Sequence, residues 1–237
     1  MPGFKVEPSA LDMAPLNTRV RITFPREAKS DKVLIREKLA KGAPRAPVVV
    51  KSERRDFQSA DFRMAELVPD APLAPLTRYE VLVLHSGGKE TAIGEFSTGG
   101  EPDTTPPSWE GLVKATFFQL PATCCNCSTG SPYATLVTSK ATDPESKSSA
   151  LSYEIWASDE NGQVDFSKPP LMILRDWSGH ISLGHQSQCT PANFRFPEKR
   201  TSLKIGVRVV DLAGNQGKPS EIEIDLAHPV TAAGGRN

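Results

Sequence analysis

The chain has no apolar run near the ~20 residues that a membrane-crossing helix requires, so no helical span is expected. It also has no net charge. Its 28 Lys and Arg balance 28 Asp and Glu, which leaves no long-range field to draw in a phosphate backbone. Basic runs and RNA-stacking motifs are missing as well, so nucleic acid is not an expected partner. Recognisable chemistry is equally scarce. There is no G-x-S-x-G elbow, no P-loop, no G-x-G-x-x-G, no H-E-x-x-H and no EF-hand loop. No acid stands out as tuned for proton transfer, so an enzyme is not expected. The opening residues Met1-Pro2-Gly3-Phe4-Lys5 contain no apolar signal core. Either an export signal has been removed or the chain is cytoplasmic.

Proline is abundant instead. The 21 prolines among 237 residues are roughly twice the ordinary usage. Proline is excluded from helix interiors and central strands, so many corners between short strands are expected. A hydrophobic fraction of 38% is enough for a packed core.

The apolar pattern supplies those strands. Val20, Ile22 and Phe24 alternate with Arg19, Arg21 and Thr23, a period of two with one face inward. Val33-Leu34-Ile35, Val48-Val49-Val50, Phe62 to Val68, Tyr79-Val81-Val83 and Ile93 to Thr98 continue the series. The good helix formers of Ala28 to Lys41 leave a helix open, but their β-branched centre favours a strand. Residues 101–107 hold three prolines and no large apolar side chain. They read as a stiff linker after a first domain at 1–100. A second domain at 108–228 repeats the pattern. Its candidates are Trp109 to Phe118, Tyr133 to Thr138, Leu151 to Ala157, Leu171 to Leu174, Ile181 to Leu183, Leu203 to Val209 and Ile222 to Leu226. Residues 229–237 are expected to form a disordered tail. About seven short strands per half, separated by turn signals, is the pattern of a β-sandwich.

Two stretches resemble known families. Pro72-Leu73-Ala74-Pro75-Leu76-Thr77-Arg78-Tyr79-Glu80-Val81 resembles the P-L-x-P-x-T-x-Y-x-V corner of the bacterial Ig-like domain of the S-layer-protein type. The closing strand Phe96-Ser97-Thr98-Gly99 matches that family's F-x-T-G. The resemblance implies that Tyr79 is a tyrosine-corner residue. It departs at Leu76, where the family carries glycine. Asp103-Thr104-Thr105-Pro106-Pro107 and Val209-Val210-Asp211-Leu212-Ala213-Gly214-Asn215 are similar to the opening and the F–G hairpin of bacterial surface Ig-like repeats. Cys124 to Ser131 and Gln163 to Pro197 have no counterpart. The fold so implied is all-β, two tandem immunoglobulin-like β-sandwich domains, the second also fibronectin-III-like. The setting implied is extracytoplasmic: cell envelope, periplasm or secreted.

The cysteines bear on that setting. Cys124, Cys125 and Cys127 crowd one loop and Cys189 lies far downstream. The least strained pairing is Cys124–Cys127 with Cys125–Cys189. A bridge closing about 60 residues stabilises by ~4 kcal/mol in the chain-entropy view. Structural disulfides, the favoured reading, belong to oxidising compartments. The rivals are free thiols and zinc, held with His180 and His185 at a spacing unlike that of zinc ribbons. Asn126-Cys127-Ser128 also fits a glycosylation sequon.

Two ligands merit weighing. Calcium has hard-oxygen candidates in Asp103, Asp143 and Asp211, against a bland reading of Asp103 and Asp211 as turn caps. Glycans have a stacking candidate in Trp177, with Trp109 and Trp156 as possible neighbours. Isolated His85 and His228 read as ordinary surface residues. The expected function is a non-enzymatic structural or adhesion-type module, with other envelope or surface proteins as partners. Glycan or calcium binding at the second domain is the alternative. Because every cysteine and tryptophan lies in the second half, specific activity is expected there. Intact mass after alkylation, with and without reduction, checks the export argument. Disulfides should leave the unreduced protein unmodified, and four alkylatable thiols would overturn it.

Overall fold

The computed structural model describes residues 4–9, 13–24, 32–58, 63–119, 132–144, 151–175, 179–184 and 194–231. These residues are all-β. They divide into two compact units. One holds the described residues up to 58, then 63–106 and Asp211–Asn215; the other holds the described residues of Pro107–Val210 and 216–231.

Among its described residues the first unit has nine strands: β1 (Lys5–Glu7), β2 (Met13–Ala14), β3 (Val20–Phe24), β4 (Lys32–Glu37), β5 (Val49–Val50), β6 (Ser52–Gln58), β7 (Arg63–Pro69), β8 (Arg78–Leu84) and β9 (Glu90–Thr98). One sheet runs β1-β3-β7-β6 and the other β2-β9-β8-β4-β5. Lettered in chain order, these are A-B-E-D and A′-G-F-C-C′, the strand order of an immunoglobulin sandwich. Alternation converts directly into burial. Val20, Ile22, Ile35, Val81 and Val83 are fully buried between the sheets, and Tyr79 stacks on Phe96 at 5.4 Å. The ambiguous stretch from Ala28 resolves, from Lys32 on, as β4. Its Val33 and Ile35 face the core while Lys32 stays outside, a period that only a strand provides.

The tyrosine corner is present. The Tyr79 hydroxyl accepts a hydrogen bond from the Ala74 backbone N–H at 2.9 Å. Thr98 Oγ1 donates to the Ala74 carbonyl at 2.6 Å and accepts from the Thr77 N–H at 3.0 Å. The corner from Pro72 to Thr77 is therefore fixed at both ends.

The second unit contains β10 (Leu112–Gln119), β11 (Pro132–Thr138), β12 (Ser152–Ala157), β13 (Met172–Arg175), β14 (His180–Gly184), β15 (Ser202–Val210), β16 (Ser220–Asp225) and β17 (Val230–Thr231). Its sheets run β14-β11-β10-β17 and β13-β12-β15-β16. This is again an immunoglobulin-like sandwich, with β13 paired to β12 at one edge. Leu136, Leu151, Ile155, Leu183, Ile205 and Val207 fill its core. Val230 and Thr231, expected within a disordered tail, instead form β17. They pair in parallel with Phe118 and Gln119, because the edge of β10 offers unpaired main-chain groups.

Trp156 is buried on the outer face of its sheet, outside the core between the sheets. The segment 163–170 lies across it: Phe166 meets its ring edge-on at 5.0 Å and the Lys168 carbonyl accepts from its Nε1 at 2.8 Å. Gly206 makes room for this cover, since a Cβ there would stand 2.5 Å from Val164 and 2.7 Å from Phe166. Arg208 sits 4.9 Å over the indole and pairs with Glu154 at 2.7 Å.

Leu76 generates a stability prediction. It has φ +50°, in the left-handed region that disfavours a side chain, and is 77% exposed, so it packs on nothing that compensates. Leu76→Gly removes that cost and keeps the Leu76 N–H bond to the Gly99 carbonyl. Net of the entropy glycine adds to the unfolded chain, it should stabilise by about 0.5–1 kcal/mol. Thermal melting should rise by a few degrees. An unchanged or lower transition would contradict the strain.

Candidate functional site

Charge is concentrated inside the first unit. Arg21 and Glu66 stand on the outer face of the A-B-E-D sheet, opposite in register, and both are almost fully buried. Arg21 Nε donates to Glu66 Oε1 at 2.9 Å, and Arg19 approaches Glu66 Oε2 at 3.3 Å. The same two arginine residues receive the turn Asp211–Asn215. Arg21 donates to the Asp211 carbonyl at 3.0 Å, and the Arg19 backbone N–H to the Leu212 carbonyl at 2.6 Å. Gly214, at φ +91°, lies flat against the Arg19 guanidinium, where a Cβ would stand 2.2 Å from a nitrogen.

Two buried carboxylates lie beside this turn. Asp103 and Asp211, 1% and 0% exposed, present oxygens within 4.8 Å of one another. Each also works as a cap. Asp103 Oδ1 accepts from the Thr105 N–H, and Asp211 Oδ1 from the Asn215 N–H, both at 2.9 Å. Asn215 Nδ2 donates to Asp211 Oδ2 at 2.9 Å and to the Asp103 carbonyl at 3.0 Å. Asn17 closes the ring with a 2.7 Å bond to that same carbonyl and a 2.9 Å bond from the Asp103 N–H. Burial pushes the Asp211 carboxyl above its ordinary value. The Asn215 bonds oppose that shift, and the nearby charge of Asp103 adds to it. The donor set is all oxygen, so the species it can accept are a proton or a hard cation such as calcium.

The third calcium candidate, Asp143, belongs to the second unit. It is half-buried and follows the Ser108–Thr142 bridge. His180 opens β14, exposed and opposite Val137. His85 bonds Thr91 at 3.1 Å, and exposed His228 meets Asp225 at 2.8 Å, which lowers the Asp225 carboxyl. Trp109 and Trp156 are withdrawn from any stacking surface. Trp156 is covered as described above. Trp109 is buried against Tyr153, with its Nε1 on Thr138 Oγ1 at 2.8 Å. Cys124, Cys125, Cys127, Cys189, Trp177 and His185 lie outside the described residues.

A second feature of the first unit carried no clear sequence signal. A groove of about 440 Å³ runs between β5 and the corner Asp70–Ala74, with Tyr79 and Glu37 at its base. Val48 and Val49 on its rim are 55% and 52% exposed. The Val48 run read only as a strand; that it forms an open edge follows from its place last in the sheet.

Asp211 sets a pH dependence. Its folded-state carboxyl binds a proton more tightly than the unfolded one, whose ordinary value is 3.8. Its contribution to stability is therefore complete below that value and is lost as the pH rises through the raised folded one. Asp211→Asn removes the titration. The melting-temperature difference, wild type minus variant, should fall as the pH rises above the ordinary carboxylate value. A difference that rises with pH would show the group to be stabilised in its charged form.

Comparison with family models and with curated proteins returned no match. Solved structures gave similarity at low identity. The fibronectin(III)-like modules of CbhA from Clostridium thermocellum are 11% identical with a TM-score of 0.30, over 99% of this chain and 97% of that one. The N-terminal Ig1-2 module of the Drosophila receptor protein tyrosine phosphatase DLAR is 12% identical with a TM-score of 0.30, over 94% and 100%.

Proposed function

We propose that the chain is a non-enzymatic, extracytoplasmic structural and interaction module, its first unit of the bacterial S-layer Ig-like type, which docks partner proteins of the envelope or surface. One observation carries this reading: charge and polarity are committed to architecture, while apolar side chains stand open on a strand edge and on sheet faces. Arg21–Glu66, Arg208–Glu154 and Arg36–Glu80 are intramolecular pairs, and Asp103 and Asp211 cap turns. Val48, Val49, Val113 and Val137 stay exposed. Exposed apolar groups on a sandwich edge or face are the raw material of protein contacts. The S-layer-type assignment is supported by the Tyr79 corner and by Phe96-Ser97-Thr98-Gly99.

A photocrosslinking amino acid at Val49, Val137 or Arg55, in the cells that make the chain, tests the interaction reading. Protein adducts are expected at Val49 or Val137 and not at Arg55, whose ion pair with Glu53 guards its strand. Adducts at none of the three positions would overturn it.

Calcium is the second reading, favoured by the proximity of Asp103 and Asp211 within a buried setting. A divalent cation would relieve their mutual repulsion where a proton does so at low pH. The melting comparison of wild type and Asp211→Asn, repeated with calcium and with EDTA, tests it. Calcium should raise the wild-type transition alone, and equal transitions in calcium and EDTA would remove the metal.

A further inference from the structure

Among the described residues β5 is the last strand of its sheet and pairs only with β4, Val50 opposite Ile35 and Val49 opposite Arg36. The next pair along, Glu37 with Val48, is a hydrogen-bonded one, with Glu37 N–H donating to the Val48 carbonyl at 2.9 Å. Antiparallel pairs alternate, so the Val49 N–H and C=O turn away from β4, to the open side of the strand. The same unit shows what a closed edge looks like. β6 ends the opposite sheet, and its Arg54 pairs with Asp56 at 2.7 Å and its Arg55 with Glu53 at 3.1 Å. Such a charged fringe blocks strand addition, and β5 carries valines in its place.

Resting on the interaction reading, we infer that the groove beside β5 receives a short, extended, uncharged apolar segment of a second protein, which adds to the sheet at Val49. Charge selects the occupant. Glu37 is neutralised by Arg45 at 3.0 Å, and exposed Lys51 and Asp70 share one end with opposite signs. The four charges sum to zero, so a charged segment would lose hydration without gaining a partner. The walls select shape. Val48 and Val50 line one side of the groove and Ala71, Pro72 and Leu73 the other, apolar on both sides. The Asp70 N–H closes one end on the Lys51 carbonyl at 3.0 Å. A second copy of the chain gains less here. β5 has two residues, so two rigid edges would share hardly a full pair, whereas a flexible segment gains the Val49 pairing and both walls.

The probe is a capped pentapeptide of alternating valine and threonine, titrated into the ¹⁵N-labelled full chain. Amide shifts are expected to saturate at 48–51 and at Ala71, Leu73 and Ala74, with the Val49 N–H moving as a new hydrogen bond forms. Val49→Lys, at an exposed position, should melt like wild type and bind roughly tenfold more weakly or worse. Val137→Lys, in the second unit, should bind like wild type. Absence of shifts at 48–51 at millimolar peptide, or equal affinity in Val49→Lys, overturns the inference. Shifts at 48–51 that follow protein concentration without peptide overturn it in favour of a second copy. If the peptide fails while photocrosslinks form at Val137, the groove is removed and the module reading stands. If both fail, both are removed.

Discussion

The buried Arg21–Glu66 pair is the interaction on which the first unit's outer face depends. Two charges withdrawn from water gain little net stability from each other, because desolvation offsets most of their attraction. Removing one partner is a different matter and typically costs about 3–5 kcal/mol, since the survivor stays buried and uncompensated. The pair is therefore a constraint more than a source of stability. It fixes where a guanidinium points, and that guanidinium holds the Asp211 carbonyl. Arg19 adds its backbone N–H and its flat cation, and Gly214 is the residue type that can lie against it. The proximity of Asp103 and Asp211 follows from this chain of contacts. Glu66 positions Arg21, Arg21 positions the turn, and Asn215 ties the turn to the Asp103 carbonyl.

The groove rests on a second, independent constraint. Its far wall is the proline corner, pinned by the Tyr79 hydroxyl on the Ala74 N–H, by Thr98 on the Ala74 carbonyl and by the Leu73 N–H on the Leu16 carbonyl at 2.7 Å. Burial raises the Tyr79 hydroxyl's proton affinity, the Ala74 bond opposes that shift, and the nearby Glu37 charge adds to it, so the neutral phenol is the form held there. The near wall, β5, is a two-residue strand on one neighbour. The wall that is pinned beforehand is the one that lowers the conformational cost of ordering an extended segment.

Much of the fold was legible because period-two burial is a local property. Val20, Ile22 and Phe24 reached the core by alternation alone, as did Leu203, Ile205, Val207 and Val209. β6 was illegible for the opposite reason. Ser-Glu-Arg-Arg-Asp-Phe-Gln has a single apolar residue, and its strand exists because β7 supplies main-chain partners along its length. Trp156 misleads in another way. Alternation assigns it to the outward face, and only the return of segment 163–170 buries it. The turn at Asp211 to Asn215 was readable from its composition. That it meets Asp103, Arg19 and Arg21 was not, because those contacts span up to 190 residues and are set by topology.

The sequence directs attention to the second half, where the tryptophans and cysteines lie, and the described structure shifts that balance. Trp109 and Trp156 are consumed by packing, each with its indole N–H on an internal acceptor. A large aromatic is a contact residue only if its face is open, and these faces are closed. The first unit reads as a plain scaffold because its distinctive residues are small ones: a bare valine edge and a corner of prolines and alanines. A sandwich with one guarded edge and one open one is asymmetric without any unusual side chain. Its guarded edge resists indiscriminate pairing, and on the reading proposed above its open edge would admit what fits between β5 and the corner. Specificity of that kind resides in the backbone and the walls, which is why composition alone points past it.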